Sequence, residues 1–217
     1  MPTFKNTPKR GRPQTLDRDA VLKIALTSYW TGGPTRVAIS HICKEADVSK
    51  PSLYREFGSD DGLKAAVLDL YSELVLRPFH NILASNEGFA QQIEALIAFT
   101  VQDRQTLGIP SGCLQVAMRA HRKDLGAITG DKVDRLRSQT LRNYEAWIER
   151  AKSCGEFKAD IPTQAAALFC DAQNGGAMRM QREGIPNEII KQILTHAFST
   201  FAQCAETTFG TVSADDA

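Results

Sequence analysis

Apolar residues recur at helical intervals through most of this chain. Between Asp17 and Tyr29, Val21, Ala25 and Tyr29 are spaced by four with Leu22 and Leu26 beside them, which predicts an amphipathic helix. Asp17 or Thr15 can cap its start, and Gly32-Gly33-Pro34 ends it. Ile39, Ile42 and Ala46 then stand three and four apart, on one face of a short helix. A polar turn around Val48 follows. Ser49 has the side chain of an N-cap, and Pro51 is tolerated in a first turn, where an amide has no intrahelical partner. Leu53 and Phe57 repeat at i, i+4, so a second short helix is predicted from about Lys50. Gly58-Ser59-Asp60-Asp61 then sets a capping hydroxyl and two carboxylates at the start of a longer helix, where the macrodipole favours negative charge.

Two short helices joined by a tight polar turn are the outline of a helix-turn-helix. With Leu53 and Phe57 facing inward, Lys50, Ser52, Tyr54 and Arg55 point elsewhere, and such side chains reach base edges and phosphates. The alternative is a small helical hairpin within a larger core. In that case Tyr54 packs on Phe57, and Lys50 and Arg55 are ordinary solvated charges.

Beyond Asp61 the pattern stays helical. Leu63, Val67, Leu70, Tyr71 and Leu74 form one stripe, and Pro78 kinks or ends that helix. Phe89 to Val101 is a further apolar helix, and a loop from Gly108 to Gly112 precedes another from Cys113 to Ala120. A long amphipathic helix from about Leu125 to Cys154 carries Val133, Leu136, Tyr144, Trp147 and Ile148. Pro162 to Glu183 and Pro186 to Phe209 read as a helical hairpin, each arm opening at a proline suited to a first turn, with Gly184 between them. Small residues on the first arm, Ala165-Ala166-Ala167 and Gly175-Gly176-Ala177, allow another helix to approach closely. No stretch alternates long enough to argue a sheet, so the expected fold is all-α. The expected domains are a disordered basic arm at 1–15, a helix-turn-helix head at 16–60, a larger helical domain at 61–210 and a disordered tail at 211–217.

Charge is divided unevenly. Residues 1–60 carry ten Lys/Arg against six Asp/Glu, and the other 157 carry sixteen against nineteen, so a near-neutral chain hides a basic end. One cationic face of this kind can dock on nucleic acid in a salt-dependent way. Within the arm, Arg10-Gly11-Arg12-Pro13 suits an extended strand that lays two guanidinium groups in a narrow minor groove, and it resembles the core of an AT-hook. A merely solubilising tail is the other reading of that segment.

The five cysteines, at 43, 113, 154, 170 and 204, show no C-x-x-C and no zinc spacing, which fits reduced thiols. The histidines at 41, 80, 121 and 196 form no H-E-x-x-H, and there is no G-x-S-x-G, P-loop or dinucleotide fingerprint. His121 with Asp124 could bind a metal in principle, but such pairs on helix ends are usually solvated. No enzyme, metal site or cofactor is therefore expected. The polar, basic start lacks an apolar signal-peptide core and no run of 18 apolar residues occurs, so a cytoplasmic protein with no membrane partner is expected.

The residues from Val21-Leu22 through Gly33, Ile39-Ser40-His41-Ile42-Cys43, Ala46-Asp47-Val48-Ser49-Lys50, Leu53-Tyr54 and Phe57 to Leu63 and Ala66-Val67-Leu68 resemble the TetR family of bacterial transcriptional regulators. Two departures stand out. Ala38 occupies the position where the family usually caps the first helix of the pair with Ser or Thr, and Asp60 stands where a phosphate-binding lysine often begins the next helix.

The resemblance implies that Lys50, Pro51, Ser52 and Arg55 face the major groove, that Tyr54 holds a phosphate, and that Thr35 and Arg36 are weaker phosphate contacts. It implies an operator-binding homodimer made by the C-terminal hairpin, with Ala166, Gly175, Gly176, Ile193 and Phe198 as interface candidates. It also implies a small-molecule effector among the middle helices, probed by Phe99, Gln115, Met118, Tyr144, Trp147, Phe169, Gln173 and Met178, although most of these suit a plain core equally. Pro110-Ser111-Gly112-Cys113-Leu114 resembles a Gly-Cys-Leu segment in a subset of such regulators, some of which sense electrophiles, making Cys113 a candidate sensor; a buried inert thiol is the alternative. The expected function is a ligand-responsive regulator, in particular a repressor, against a ligand-independent architectural DNA binder or an all-helical enzyme.

Overall fold

The computed structural model describes residues 16–104 and 106–201, so the basic arm with Arg10 and Arg12, Cys204 and the C-terminal tail lie outside the described residues. The regular elements are all helical: α1 (Arg18–Gly32), α2 (Ile39–Glu45), α3 (Lys50–Phe57), α4 (Asp60–Tyr71), a π-helical turn (Ser72–Leu76), α5 (Arg77–Ala84), α6 (Phe89–Thr100), α7 (Leu114–Ala120), a 3-10 turn (Arg122–Asp124), α8 (Ala127–Ser153), α9 (Thr163–Arg182) and α10 (Asn187–Ser199). They form two compact units. The first comprises residues 16–74 and 114–134, and the second 75–113 and 135–201 as far as described.

In the first unit α1 packs on α4, α2 and α7, and α3 sits between α2 and α4. Its core is Val21, Leu22, Ala25, Tyr29 and Trp30 from α1, Ile42 from α2, Leu53 from α3, and Leu63, Val67, Leu68 and Tyr71 from α4, all buried. Trp30 meets Tyr71 edge-on at 5.0 Å between ring centroids. Local chemistry sets the boundaries. The Asp17 carboxylate accepts from the amides of Asp19 and Ala20, and the C-cap Gly33 has φ +94°, a conformation that costs glycine little.

The second unit is built on an aromatic core. Trp147 lies 4.6 Å from Phe89, Phe79 meets Tyr144 edge-on at 5.9 Å, and Phe157 stacks obliquely on Phe201 at 4.9 Å. Such pairs add to the stabilisation that their buried area already supplies. One buried side chain organises the polar groups there: the Gln92 amide donates to the Ile82 and Ser85 carbonyls at 3.1 and 3.0 Å and accepts the Trp147 indole N–H at 2.6 Å. Carbonyls at the C-terminal end of α5 thereby gain a donor. α6, α9 and α10 pack on one another around this core.

Three sequence expectations need correction. The stripe along α4 holds for Leu63, Val67 and Tyr71, but Leu74 is 57% exposed. The π-helical turn after Tyr71 winds more widely than an α-helix and carries Leu74 off the buried face. The break expected at Pro78 accordingly comes earlier, and Pro78 sits in the first turn of α5, where its missing N–H costs nothing. Pro162 and Pro186 are N-caps rather than first-turn residues; α10 is described as far as Ser199, and the expected end at Phe209 lies outside the described residues. The Ser199 and Thr200 hydroxyls donate back to the carbonyls of His196 and Ala197, both at 2.7 Å.

Candidate nucleic-acid interface

α3 follows from its sequence residue by residue. Ser49 is its N-cap, with its hydroxyl oxygen accepting from the Ser52 amide at 3.2 Å, and proline occupies the first turn. Leu53 and Phe57 are buried and anchor the helix to the core. That anchoring leaves Lys50, Pro51, Arg55 and Glu56 exposed, with Ser52 and Tyr54 half-buried at the edges of the same face. The Ser49 hydroxyl donates to that of Ser52 at 2.9 Å, and the Lys50 ammonium lies 5.4 Å from the centre of the Tyr54 ring, within cation–π range. Tyr54 is therefore not the fully buried aromatic of the alternative reading. Thr35 and Arg36, in the turn before α2, are exposed as well.

The acidic Glu56 on this surface is compensated, since Arg18 of α1 pairs with it at 3.1 Å while its guanidinium lies 5.5 Å over the Phe57 ring. The link fixes the end of α3 to the start of α1. In the turn, Asp47 has φ +51° and the Val48 amide closes on the Cys43 carbonyl at 2.9 Å. Left-handed backbone suits glycine, and aspartate is among the few other residues that adopt it readily.

Both departures noted in the sequence have a structural outcome. Ala38 is the N-cap of α2, and no side-chain hydrogen bond closes that end. Asp60 does not face outward unpaired: it accepts the Tyr29 hydroxyl at 3.1 Å and the Lys64 ammonium at 3.0 Å. Burial, reinforced by the Asp60 charge, pushes the Tyr29 hydroxyl far above its ordinary pKa, so it serves as a neutral donor. The neighbouring Asp61, which sequence reasoning assigned only to the start of its own helix, caps another. Its carboxylate accepts the Ile128 and Thr129 amides of α8 at 2.9 and 3.1 Å, and its carbonyl accepts the Thr129 hydroxyl at 2.9 Å. Burial works against the charged form, but these hydrogen bonds together with Lys64 outweigh it and hold the Asp61 carboxyl below its usual range. A signal existed in Gly126-Ala127, which begins a 27-residue helix without a capping side chain of its own. A side chain at Gly126 would fall on the Asp61 carboxylate.

The other candidates belong to both units. Gln115 and Met118 are buried on α7 of the first unit, whereas Phe99, Tyr144, Trp147, Phe169, Gln173 and Met178 belong to the second. There Tyr144 and Trp147 are interlocked with the aromatic core, Phe99 tilts against Phe79, and Phe169 meets Phe198 and Phe201 edge-on. Gln173 is half-buried on α9. Among the interface candidates, Ala166 and Phe198 are buried in their own chain, Gly175 and Gly176 are half-buried, and Ile193 is 40% exposed. Cys113 is buried immediately before α7, and burial raises the Cys170 thiol to about 12. His121 and Asp124 pair at 3.5 Å on the surface. Among the described residues no group of three His, Cys, Asp or Glu could hold a metal ion, and no helix is long and apolar enough to cross a membrane.

Residues 21–67, from α1 to α4, match the family model described as bacterial regulatory proteins, tetR family. That segment is similar to the TetR family. Beyond that TetR-family segment, similarity extends over most of the chain. It is 26% identical over 196 residues to the HTH-type transcriptional repressor ComR of Escherichia coli, covering 85% of this chain and 88% of that protein. It is 25% identical over 204 residues to the transcriptional regulator AcuR of Cereibacter sphaeroides, covering 87% and 89%. The fold matches that of a cysteine variant of the TetR-family regulator CifR, solved with 26-bp operator DNA, with a TM-score of 0.75 at 23% identity over 88% of this chain and all of that one.

Proposed function

We propose that this chain is a transcriptional repressor that binds a palindromic operator as a homodimer through α3 and leaves it when a small molecule binds. The observation that carries the reading is the outward face of α3: Lys50, Pro51 and Arg55 exposed at a helix start, with Leu53 and Phe57 holding that helix against a three-helix platform. Residues in the first turns of a recognition helix reach base edges, and in this reading Tyr54, Thr35 and Arg36 contact phosphates. The relatives support the same reading, since ComR is named a repressor and the CifR structure holds operator DNA.

A homodimer is supported by Ile189 and Ile193, four apart on α10 and 45% and 40% exposed, with Ile185 at 37% in the turn before that helix and Leu168 on α9 at 44%. An exposed apolar row of this kind favours association with a second copy. One short helix reads few base pairs, whereas two related by a twofold axis read half-sites about one helical turn apart.

Selection of bound duplexes from random DNA by the full chain tests the proposal. The expected result is an inverted repeat with two half-sites, bound at two chains per duplex. Absence of any enriched sequence would overturn the regulatory reading, and an enriched composition without symmetry would favour the architectural one.

A further inference from the structure

A cavity of about 170 Å³ in the second unit is lined by Asp103, Arg104, Ser111, Gln181, Asn187 and Ile185, with Gly184. Arg104 is only 5% exposed, and no carboxylate pairs with it among the described residues. Among the described residues its side chain donates from a terminal nitrogen to the Met178 sulfur at 3.9 Å, a weak acceptor, and its buried Nε has no hydrogen-bond partner. A buried guanidinium cannot shed its proton, so an unpaired one carries the full cost of desolvation. Asp103 does not relieve it: that carboxylate is exposed and accepts the Thr106 amide and hydroxyl at 3.3 and 2.5 Å, closing its own loop.

A second orphaned group belongs to another lining residue. Gln181 is 7% exposed, and its amide nitrogen donates to the Thr100 carbonyl at 2.8 Å and to Asn187 Oδ1 at 3.1 Å. A carbonyl only accepts, so the amide is fixed with Oε1 turned away from it, and that buried oxygen has no donor. The mouth of the cavity is fixed by backbone. Gly112 has φ +79°, and a Cβ there would meet the Met178 carbonyl at 2.9 Å, so only glycine lets the loop lie this close to α9 and set Ser111 beside the cavity.

From the paired orphans we infer that this cavity binds a small organic acid bearing a hydroxyl or amino group: the carboxylate meets the planar fork of Arg104, and the donor group meets Gln181 Oε1. Arginine matches a carboxylate bidentately, and the volume admits a small molecule rather than a polymer. Hydroxy and amino acids of three carbons are the simplest that carry both groups. An acid without the donor leaves Gln181 unsatisfied, which is the kind of loss on which sites discriminate strongly. That such an acid is also the effector rests on the function proposed above; the binding site itself does not.

Calorimetric titration of the full chain at neutral pH, without DNA, tests the site with lactate, glycerate and serine, against propionate, inorganic phosphate and chloride. Saturable one-to-one binding of at least one of the three acids is expected, tighter than propionate. Arg104→Gln is expected to weaken it at least about tenfold, the lower end for a hydrogen bond to a charged group. Its melting temperature without ligand should be equal or higher, since a buried unpaired charge is removed. If that variant does not fold, Arg104→Lys, which keeps the charge but not the fork, replaces it with the same expected loss of affinity. No saturable binding of any of the three acids to the wild-type chain, undiminished binding by the arginine variant, or phosphate binding more tightly than the acids would overturn the inference. Adding the bound acid to an operator complex separates the two proposals. Acid binding without any duplex binding removes the regulator and keeps the site, whereas duplex binding without acid binding does the reverse.

Discussion

Arg55 and Asp61 stand within two turns of each other in sequence yet answer to different physics. Arg55 is exposed on α3 with no apolar role, so Arg55→Ala should leave stability unchanged and cost roughly 1–3 kcal/mol of discrimination between operator and random duplex if it reads a base edge. Parallel binding titrations on the two duplexes measure this, and an equal loss on both would make it a phosphate contact. Asp61 serves stability, because it caps α8 from a distance of 67 residues in sequence. Asp61→Ala should cost about 1–2 kcal/mol in denaturant unfolding, the range for lost N-caps. The sign with pH follows from its lowered carboxyl: the unfolded chain takes up the proton first, so the contribution is complete above the ordinary aspartate value of about 3.9 and is lost as pH falls through the folded one. Wild type should therefore lose stability more steeply than the alanine variant on acidification, as read by unfolding midpoints from pH 6 to 3.

At the scale of elements, what was legible depended on how far apart the partners lie in the chain. Ser49 and Ser59 were readable as caps because each bonds an amide three residues on, and α1, α3 and α6 followed from apolar spacing alone. Leu74 was not, because spacing assumes unbroken α-helical winding and the π-helical turn breaks it. Asp61 was not, since its partners lie on a helix nearly seventy residues later. Arg104 and Gln181 were invisible as a site because sequence shows polar residues but not whether folding leaves them a partner. Ala38 is the opposite case: the sequence exposed a missing cap, and the structure has no side-chain bond there. Ala38→Ser should then stabilise the chain by about 0.5–1 kcal/mol, the benefit of a capping hydroxyl over alanine. Thermal unfolding of the two proteins checks it, and no gain would mean that the exposed amides of α2 are already satisfied.

For the whole molecule, Ile189 and Ile193 on α10 are 45% and 40% exposed, so the pairing proposed above can be separated from folding. Replacing Ile189 and Ile193 together by Glu should give a folded monomer by light scattering, because neither side chain is buried in its own chain. Operator affinity should then fall roughly 10²-fold or more, the scale by which paired engagement exceeds single engagement. A dimer that survived both charges would place the contact elsewhere on the hairpin.

The chain holds two tryptophans, Trp30 among the residues of the first unit and Trp147 among those of the second, each at most 2% exposed. Nature has thus supplied one native fluorophore per unit. Phe substitution of either indole leaves an emission spectrum that reports a single unit, so stopped-flow traces of the two single-tryptophan proteins can time the melting of each separately, without any dye attached.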